Sequence, residues 1–219
     1  MLRKFFVQCM IFFLDYAVYN CDGWTMARPR EFDRDEALKR ATAVFWAKGF
    51  ESASTEDLLT AMQIGRQSLY DTFGDKRRLY LEALGRYQAA SVSSHIGLLE
   101  SEISPIAGIR KMLMALATAD PAFRALGCMG VGAISEFGQG DAEISTMGRS
   151  SAMVLDAALE RAVRTAKARR EIGPEVDEKG AVHFIQSTML GLKVSAKAGL
   201  DTAAMRQIVD FTMVALKRR

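Results

Sequence analysis

Residues 54–73 read STEDLLTAMQIGRQSLYDTF, two short helical stretches on either side of Ile64-Gly65. Ser54 with Asp57 three residues on is a capping-box start, in which the hydroxyl takes an orphan amide and the acid reaches back. TEDLLTAMQ then forms a short helix, Ile64 and Gly65 make the turn, and RQSLYDTF follows as a second helix ending near Gly74. Two short helices on a tight turn let one cross a DNA backbone while the next enters the major groove, about 12 Å wide. Helical hairpins also occur as plain structure, so the flanking sequence has to decide.

Upstream, Asp33 can cap a helix whose apolar positions Ala37, Leu38, Ala41, Val44 and Phe45 recur at three- and four-residue steps, with Gly49 as its stop. Downstream, Asp75 caps a long helix beginning KRRLYLEAL and carrying Leu79, Ala83 and Tyr87. Pro105 suits the first turn of a helix with Ile106, Ile109, Leu113 and Leu116. Pro121 marks a break, GCMGVGAISEF a short buried helix, and Asp141 opens a long one running to about Arg170. Gly173 and Pro174 separate that helix from the last two. The penultimate one carries Val182, Ile185, Met189, Leu192 and Ala196 at 3-4-3-4 spacing, which is the seam of a helix pair. The last starts at about Asp201 and offers Met205, Ile208, Val209, Thr212, Met213 and Leu216. No β-branched run of period two interrupts this pattern, so the expected fold is all-α, about nine helices.

Composition agrees and excludes several classes. With 219 residues, 49% apolar and 25% charged, the chain can bury a core without disulfides or metal. Cys9, Cys21 and Cys128 share no metal-ligand or thioredoxin-like spacing, and only two histidines are present, so no metal and no cofactor is expected, and a reduced cytoplasmic compartment fits. No Ser-His-Asp set, paired-carboxylate spacing or Gly-rich phosphate loop appears, which argues against an enzyme. Residues 5–14, FFVQCMIFFL, are almost continuously apolar, yet the run is shorter than the roughly 20 residues a membrane span needs and no signal-cleavage pattern follows. Residues 1–25 therefore read as an extension upstream of a true start at Met26.

The stretch from Arg30 to Tyr87 resembles the DNA-binding domain of the TetR family of one-component bacterial regulators. The marks are a first helix containing aromatics and ending in Gly49-Phe50, Asp57, the Ile64-Gly65 turn, Leu69-Tyr70 before Phe73-Gly74, and Lys76 opening the next helix. GLKVSAKAG at 191–199 looks like the penultimate helix of such proteins. The chain departs from the pattern at Ala53, where the family often has threonine, and at Gln67, where it often has glycine. The resemblance implies an N-terminal helix-turn-helix domain (26–74, with the connecting helix to about 87), and a C-terminal ligand-binding and dimerisation domain (75–219). The implied partners are double-stranded operator DNA, a second copy of the chain and a small apolar ligand, with no membrane.

Reach and chemistry distribute the roles. Arg66 and Gln67 open the reading helix, where arginine can fork onto guanine and glutamine onto adenine. Ser68 is short, and suits a phosphate or one base edge. Tyr70 and Lys76 are placed for phosphates, as are Ser54 and Thr55 at the start of the crossing helix, while Arg28 and Arg30 can follow a groove as an arm. Asp71 either accepts from cytosine or repels phosphate. Residues 26–87 hold 11 Lys+Arg against 10 Asp+Glu, so a basic footprint must come from arrangement rather than excess. For a ligand, Met112, Met114, Met129, Met147, Met153, Phe123, Phe137 and Phe184 are the soft or aromatic side chains available, with Cys128 among them. For dimerisation the two C-terminal seams offer Ile185, Met189, Leu192, Ala196, Ile208, Val209, Thr212 and Met213. The expected function is a dimeric DNA-binding regulator, a repressor released by a ligand. The competing reading is a helical protein-interaction module without sequence-specific DNA binding.

Overall fold

The computed structural model describes residues 32–217. The 1–25 segment and the arm carrying Arg28 and Arg30 lie outside the described residues. Ten helices and no strand are found among the described residues: α1 Arg34–Ser52, α2 Thr55–Met62, α3 Arg66–Phe73, α4 Lys76–Glu100, α5 Pro105–Thr118, α6 Pro121–Leu126, α7 Met129–Phe137, α8 Ala142–Ala168, α9 Glu178–Lys197 and α10 Thr202–Lys217. Nine are the expected ones. The addition is α6, where Pro121 begins a helix rather than breaking one. Asp120 caps it by accepting from the amides of Ala122 and Phe123, and a proline in the first turn sacrifices no hydrogen bond.

The caps fall where short polar side chains stand. Asp33, Asp75, Ser104, Asp141 and Asp177 each accept first-turn amides, and Ser54 and Asp57 form the reciprocal box. Gly49 interrupts α1 with φ 79° and ψ 179°, a backbone state that a side chain would strain. The freed amides of Phe50 and Glu51 turn toward α7, where both reach the Glu136 carboxylate.

Two apolar clusters form, and α4 belongs to both. The first joins Leu38, Ala41, Phe45 and Trp46 of α1 and Leu58, Leu69 and Phe73 of α2 and α3 to Leu79, Tyr80, Ala83, Leu84 and Tyr87 of α4, and it continues to Met129, Ala133 and Ile144 of α7 and α8. The first core therefore runs past residue 74. Edge-to-face rings knit it: Phe45 to Tyr80 at 5.0 Å, and Trp46 to Tyr87 at 4.9 Å and to Phe123 at 5.1 Å. The second cluster packs the end of α4 with α5, α8, α9 and α10 around Ile109, Met112, Leu113, Leu159, Ile185, Leu192 and Val209. Gly108 permits the approach of α5 to α4, because a Cβ there would sit 2.0 Å from the Leu99 carbonyl oxygen.

The second core corrects the interface expectation. Ile185, Met189, Leu192, Val209, Thr212 and Met213 are buried at 0–6% exposure within the protomer, so the 3-4 seam closes α9 and α10 onto α5 and α8. Ala196 lies half-buried beside a cavity, and Ile208 alone of the eight sits outward. The apolar residues left exposed on these helices are Phe184, Leu190 and Val194 of α9 and Ile208, Phe211 and Val214 of α10. An apolar seam at helical period marks what is buried first, and that is the protomer's own core.

Candidate nucleic-acid interface

The turn between α2 and α3 is made by Gln63, in the left-handed region at φ 58°, ψ 41°, and closed by its amide on the Leu59 carbonyl. Leu69 and Phe73 anchor α3 in the first core, four residues apart on one face. The opposite face follows from that choice: Arg66, Gln67, Tyr70 and Asp71 are exposed and Ser68 is half-buried. The helix is held from behind. Arg34 forks onto Glu82 at 2.6 and 2.8 Å while its guanidinium lies 4.8 Å from the centre of the Phe73 ring, so α1, α3 and α4 meet at one cation. Lys48 reaches Asp57 at 2.6 Å and, with Ser54, holds that carboxyl at about 2, joining the end of α1 to the start of α2.

Partners on the exposed face qualify the expected roles. Arg66 approaches Glu56 at 3.6 Å, a loose pair between two exposed side chains that solvent screens. Gln67 Nε2 donates to Asp71 Oδ1 at 2.8 Å, which uses one amide hydrogen and leaves the second, with the carbonyl, facing out. Ser54 corrects the expectation for its hydroxyl, which donates to Asp57 Oδ2 at 2.8 Å and accepts the Asp57 amide at 3.1 Å, and is thus held in the cap. Thr55 stays at the first turn, half-buried. Lys76 folds back: its ammonium lies 4.4 Å from the Phe50 ring centre and 3.4 Å from the Glu51 carbonyl, which leaves the first-turn backbone of α4 as the outward donor there. Ala53 is fully buried and touches no outward surface.

Behind the reader lies a cavity of about 110 Å³, lined by Tyr87, Ser91, His95 and Leu98 of α4, Leu116 of α5, Phe123 and Arg124 of α6, Gly127, Cys128, and Lys193 and Ala196 of α9, among others. Of the expected ligand residues, only Phe123 and Cys128 line it. Packing takes the others elsewhere. Met112 is fully buried in the second core, Met129 is buried in the first, Met147 borders a separate groove between α4 and α8, and Phe184 stands exposed on α9. Of the remaining candidates, Phe137 stacks near Phe50 and Tyr80, Met114 packs against the second core and Met153 is exposed.

The cavity's polar groups come from positions the sequence did not flag. His95 is 6% exposed and lies 3.5 Å from Ser91 Oγ through Nε2, while its Nδ1 is buried without a partner among the described residues. Burial, and then the Lys193 ammonium, hold its pKa down at about 3, so the ring is neutral. Burial raises the Tyr87 phenol well above its ordinary value, with Cys128 beside it. One legible signal existed: Ser91 and His95 occupy the register of Leu84, Tyr87 and Leu99, so two polar residues stand in a row of buried positions on α4. Among the described residues, no three His, Cys, Asp or Glu side chains gather as metal ligands, and no helix is long and apolar enough to cross a membrane.

A reading helix held rigidly from behind, on a helical body with its own cavity, defines a class: a one-component DNA-binding regulator. Residues 37–83 match the family of bacterial regulatory proteins, tetR family, and residues 108–211 the tetracyclin repressor-like C-terminal domain. The HTH-type transcriptional regulator YezE of Bacillus subtilis (strain 168) is 31% identical over 194 residues, covering 87% of this chain and 100% of that protein. The HTH-type transcriptional repressor ComR of Escherichia coli (strain K12) is 26% identical over 200 residues, covering 89% and 93%. Among solved structures, a cysteine mutant of the TetR family transcriptional regulator CifR, complexed with a 26-base-pair double-strand operator, matches with a TM-score of 0.74 at 27% identity, over 87% of this chain and 100% of that one. The chain belongs to the TetR family of bacterial transcriptional regulators.

Proposed function

We propose that the protein is a homodimeric repressor that reads a palindromic operator with α3 and leaves it when a small molecule fills the cavity. The observation that carries this is the division of α3 into a buried anchor, Leu69 and Phe73, and an outward row, Arg66, Gln67 and Tyr70, with the reach of base-edge and phosphate contacts. Residues 26–74 serve as the reader, and residues 75–219 as the sensing and pairing part. Arg66 and Gln67 contact bases, and Ser68, Tyr70, Thr55 and the first turn of α4 at Lys76 contact phosphate. The exposed apolar residues Phe184, Leu190, Val194, Ile208, Phe211 and Val214 pair two copies, because apolar side chains left outward on two helices that pack together are stable in water when covered. Two readers then sit about one DNA turn, roughly 34 to 36 Å, apart. The ligand acts only through its preference for a dimer whose readers are wrongly spaced.

Selection of the full chain against a randomised duplex pool tests this. The expected product is an inverted repeat with half-sites about one turn apart, bound by two protomers and held about 10³-fold or more above a scrambled control. No enrichment above the pool would transfer the chain to the protein-interaction reading.

A further inference from the structure

Under the repressor reading, on which this step rests, α3 meets base edges with its outward face, and one residue of that face is poorly suited to DNA. Asp71 is an exposed carboxylate, and a carboxylate facing a duplex repels phosphate and lowers sequence-independent affinity. With Arg66 as its one cation and Asp71 as its one anion, α3 brings no net charge to the contact. The position of Asp71 is central. At about 100° per residue, Gln67 and Asp71 stand within about 40° of each other, roughly opposite the anchors Leu69 and Phe73. They form the crest of the helix, and they are bonded to each other: Gln67 Nε2 donates to Asp71 Oδ1 at 2.8 Å. Chemistry sets the direction of that bond, because a carboxylate only accepts, so the amide nitrogen of Gln67 is the end turned to Asp71.

What the carboxylate supplies in return is orientation. A free glutamine gives up rotamer freedom when it docks, whereas one already held has lost part of it beforehand. The bond also removes choices. With one N–H committed to Asp71, the Gln67 amide keeps one donor and one acceptor for the groove. Adenine matches that pair, offering the N7 acceptor beside the N6–H donor. Guanine presents two acceptors, O6 and N7, and would call on both N–H groups, while thymine and cytosine each offer a single polar group. We propose that Asp71 is a positioning residue of the reader: it holds the Gln67 amide so that Gln67 selects adenine at one position of each half-site, and it contacts no base itself. The acid that weakens binding to DNA at large thereby sharpens the choice among sequences.

The test takes the site enriched by the full chain from a randomised duplex pool and measures affinity for its single-base variants and for scrambled DNA at fixed ionic strength. The unaltered chain prefers adenine at one position of each half-site by about fivefold or more, and Gln67→Ala abolishes that preference. Asp71→Ala loses most of it while the other positions hold, and loses nothing further in a Gln67→Ala background. Asp71→Asn, whose side-chain carbonyl still accepts, keeps it. Both Asp71 variants bind scrambled DNA about two- to fivefold more tightly, since each removes a negative charge. A residue needed only for the helix would instead weaken binding to every duplex, and that uniform loss overturns the assignment. An adenine preference that survives Asp71→Ala overturns it too, as does a cytosine preference lost with Asp71 while adenine stands, which would put Asp71 on a base. An enriched inverted repeat with no position sensitive to Gln67→Ala overturns it and leaves the repressor reading standing, whereas no enriched sequence removes both.

Discussion

The Glu136 carboxylate accepts the backbone amides of Phe50 and Glu51, at 2.9 Å each, so that the broken end of α1 is capped by a side chain from α7. This single residue links the reader to α7, the helix that Cys128 on the cavity wall precedes. Glu136→Ala returns both amides to water and costs about 1 kcal/mol, a fall in Tm of roughly 2 to 4 °C for a chain of this size. Faster amide exchange at Phe50 and Glu51 accompanies it. An unchanged Tm with unchanged exchange would show that the cap is incidental.

The proposed base-reading role of Arg66 separates base contact from phosphate binding. Arg66→Ala lowers specific affinity by about 1 to 3 kcal/mol while non-specific affinity and its salt dependence barely move. Equal losses on operator and scrambled DNA would place Arg66 on phosphate. Asp71→Ala, which frees the Gln67 amide from its 2.8 Å partner, relaxes the base preference at one position per half-site in the same selection.

The two faces of α9 and α10 make opposite predictions. Phe211, 74% exposed, stands on the face proposed to pair, so Phe211→Glu is expected to give a folded monomer by sedimentation with full helical content. Met189, 3% exposed, carries core packing, so Met189→Ala costs about 2 to 5 kcal/mol and leaves the dimer in place. A dimer that survives Phe211→Glu would move the interface elsewhere.

At Gly108 no side chain can be accommodated without parting α4 from α5, since a Cβ would fall 2.0 Å from the Leu99 backbone oxygen. Gly108→Ala destabilises by about 1 to 3 kcal/mol or more, whereas Gly97→Ala, where a Cβ would meet nothing within 4 Å, is neutral or slightly stabilising. Urea midpoints of the two variants decide it.

His95 makes stability fall in mild acid. The unfolded ring takes a proton near 6.5 and the folded ring only near 3, held down by burial and the facing Lys193, so the unfolded state binds more protons throughout that window. Stability from this residue is complete above about 6.5 and is lost as pH drops, by about 2 kcal/mol at pH 5. Arg124, Tyr87 and Cys128 face the same space and no carboxylate lines it to offset the effect. His95→Gln flattens the slope of Tm against pH between 7 and 5; an unaltered slope would assign the acid sensitivity to other groups.

What could be read from the sequence was set by local chemistry. Asp33, Ser54, Asp75 and Asp141 cap helices where their short acceptors predict it, and Leu69 and Phe73 point inward because four-residue spacing leaves them little choice. Long-range competition was not legible. Lys76 turns onto the Phe50 ring, and nothing within its own helix shows that ring coming near. The seam of α9 and α10 reads as an interface as readily as a core, because periodicity says that a face is covered but not by what. Cavity membership is the hardest case, for it depends on which packed residues fail to meet. Met112 and Met129 were absorbed into cores, while His95 and Lys193 were left bordering the gap.

Because Leu84 and Tyr87 share one apolar cluster with Met129, Ala133 and Ile144, the reading head cannot be transplanted by cutting the chain at residue 74. A chimera that joins this head to a relative's body must import α7 and the first turn of α8 as well, or rebuild their contacts. The outward residues of α3, Arg66, Gln67, Tyr70 and Asp71, lie outside that cluster, so under the proposed reading they can be exchanged for a relative's without disturbing the shared core.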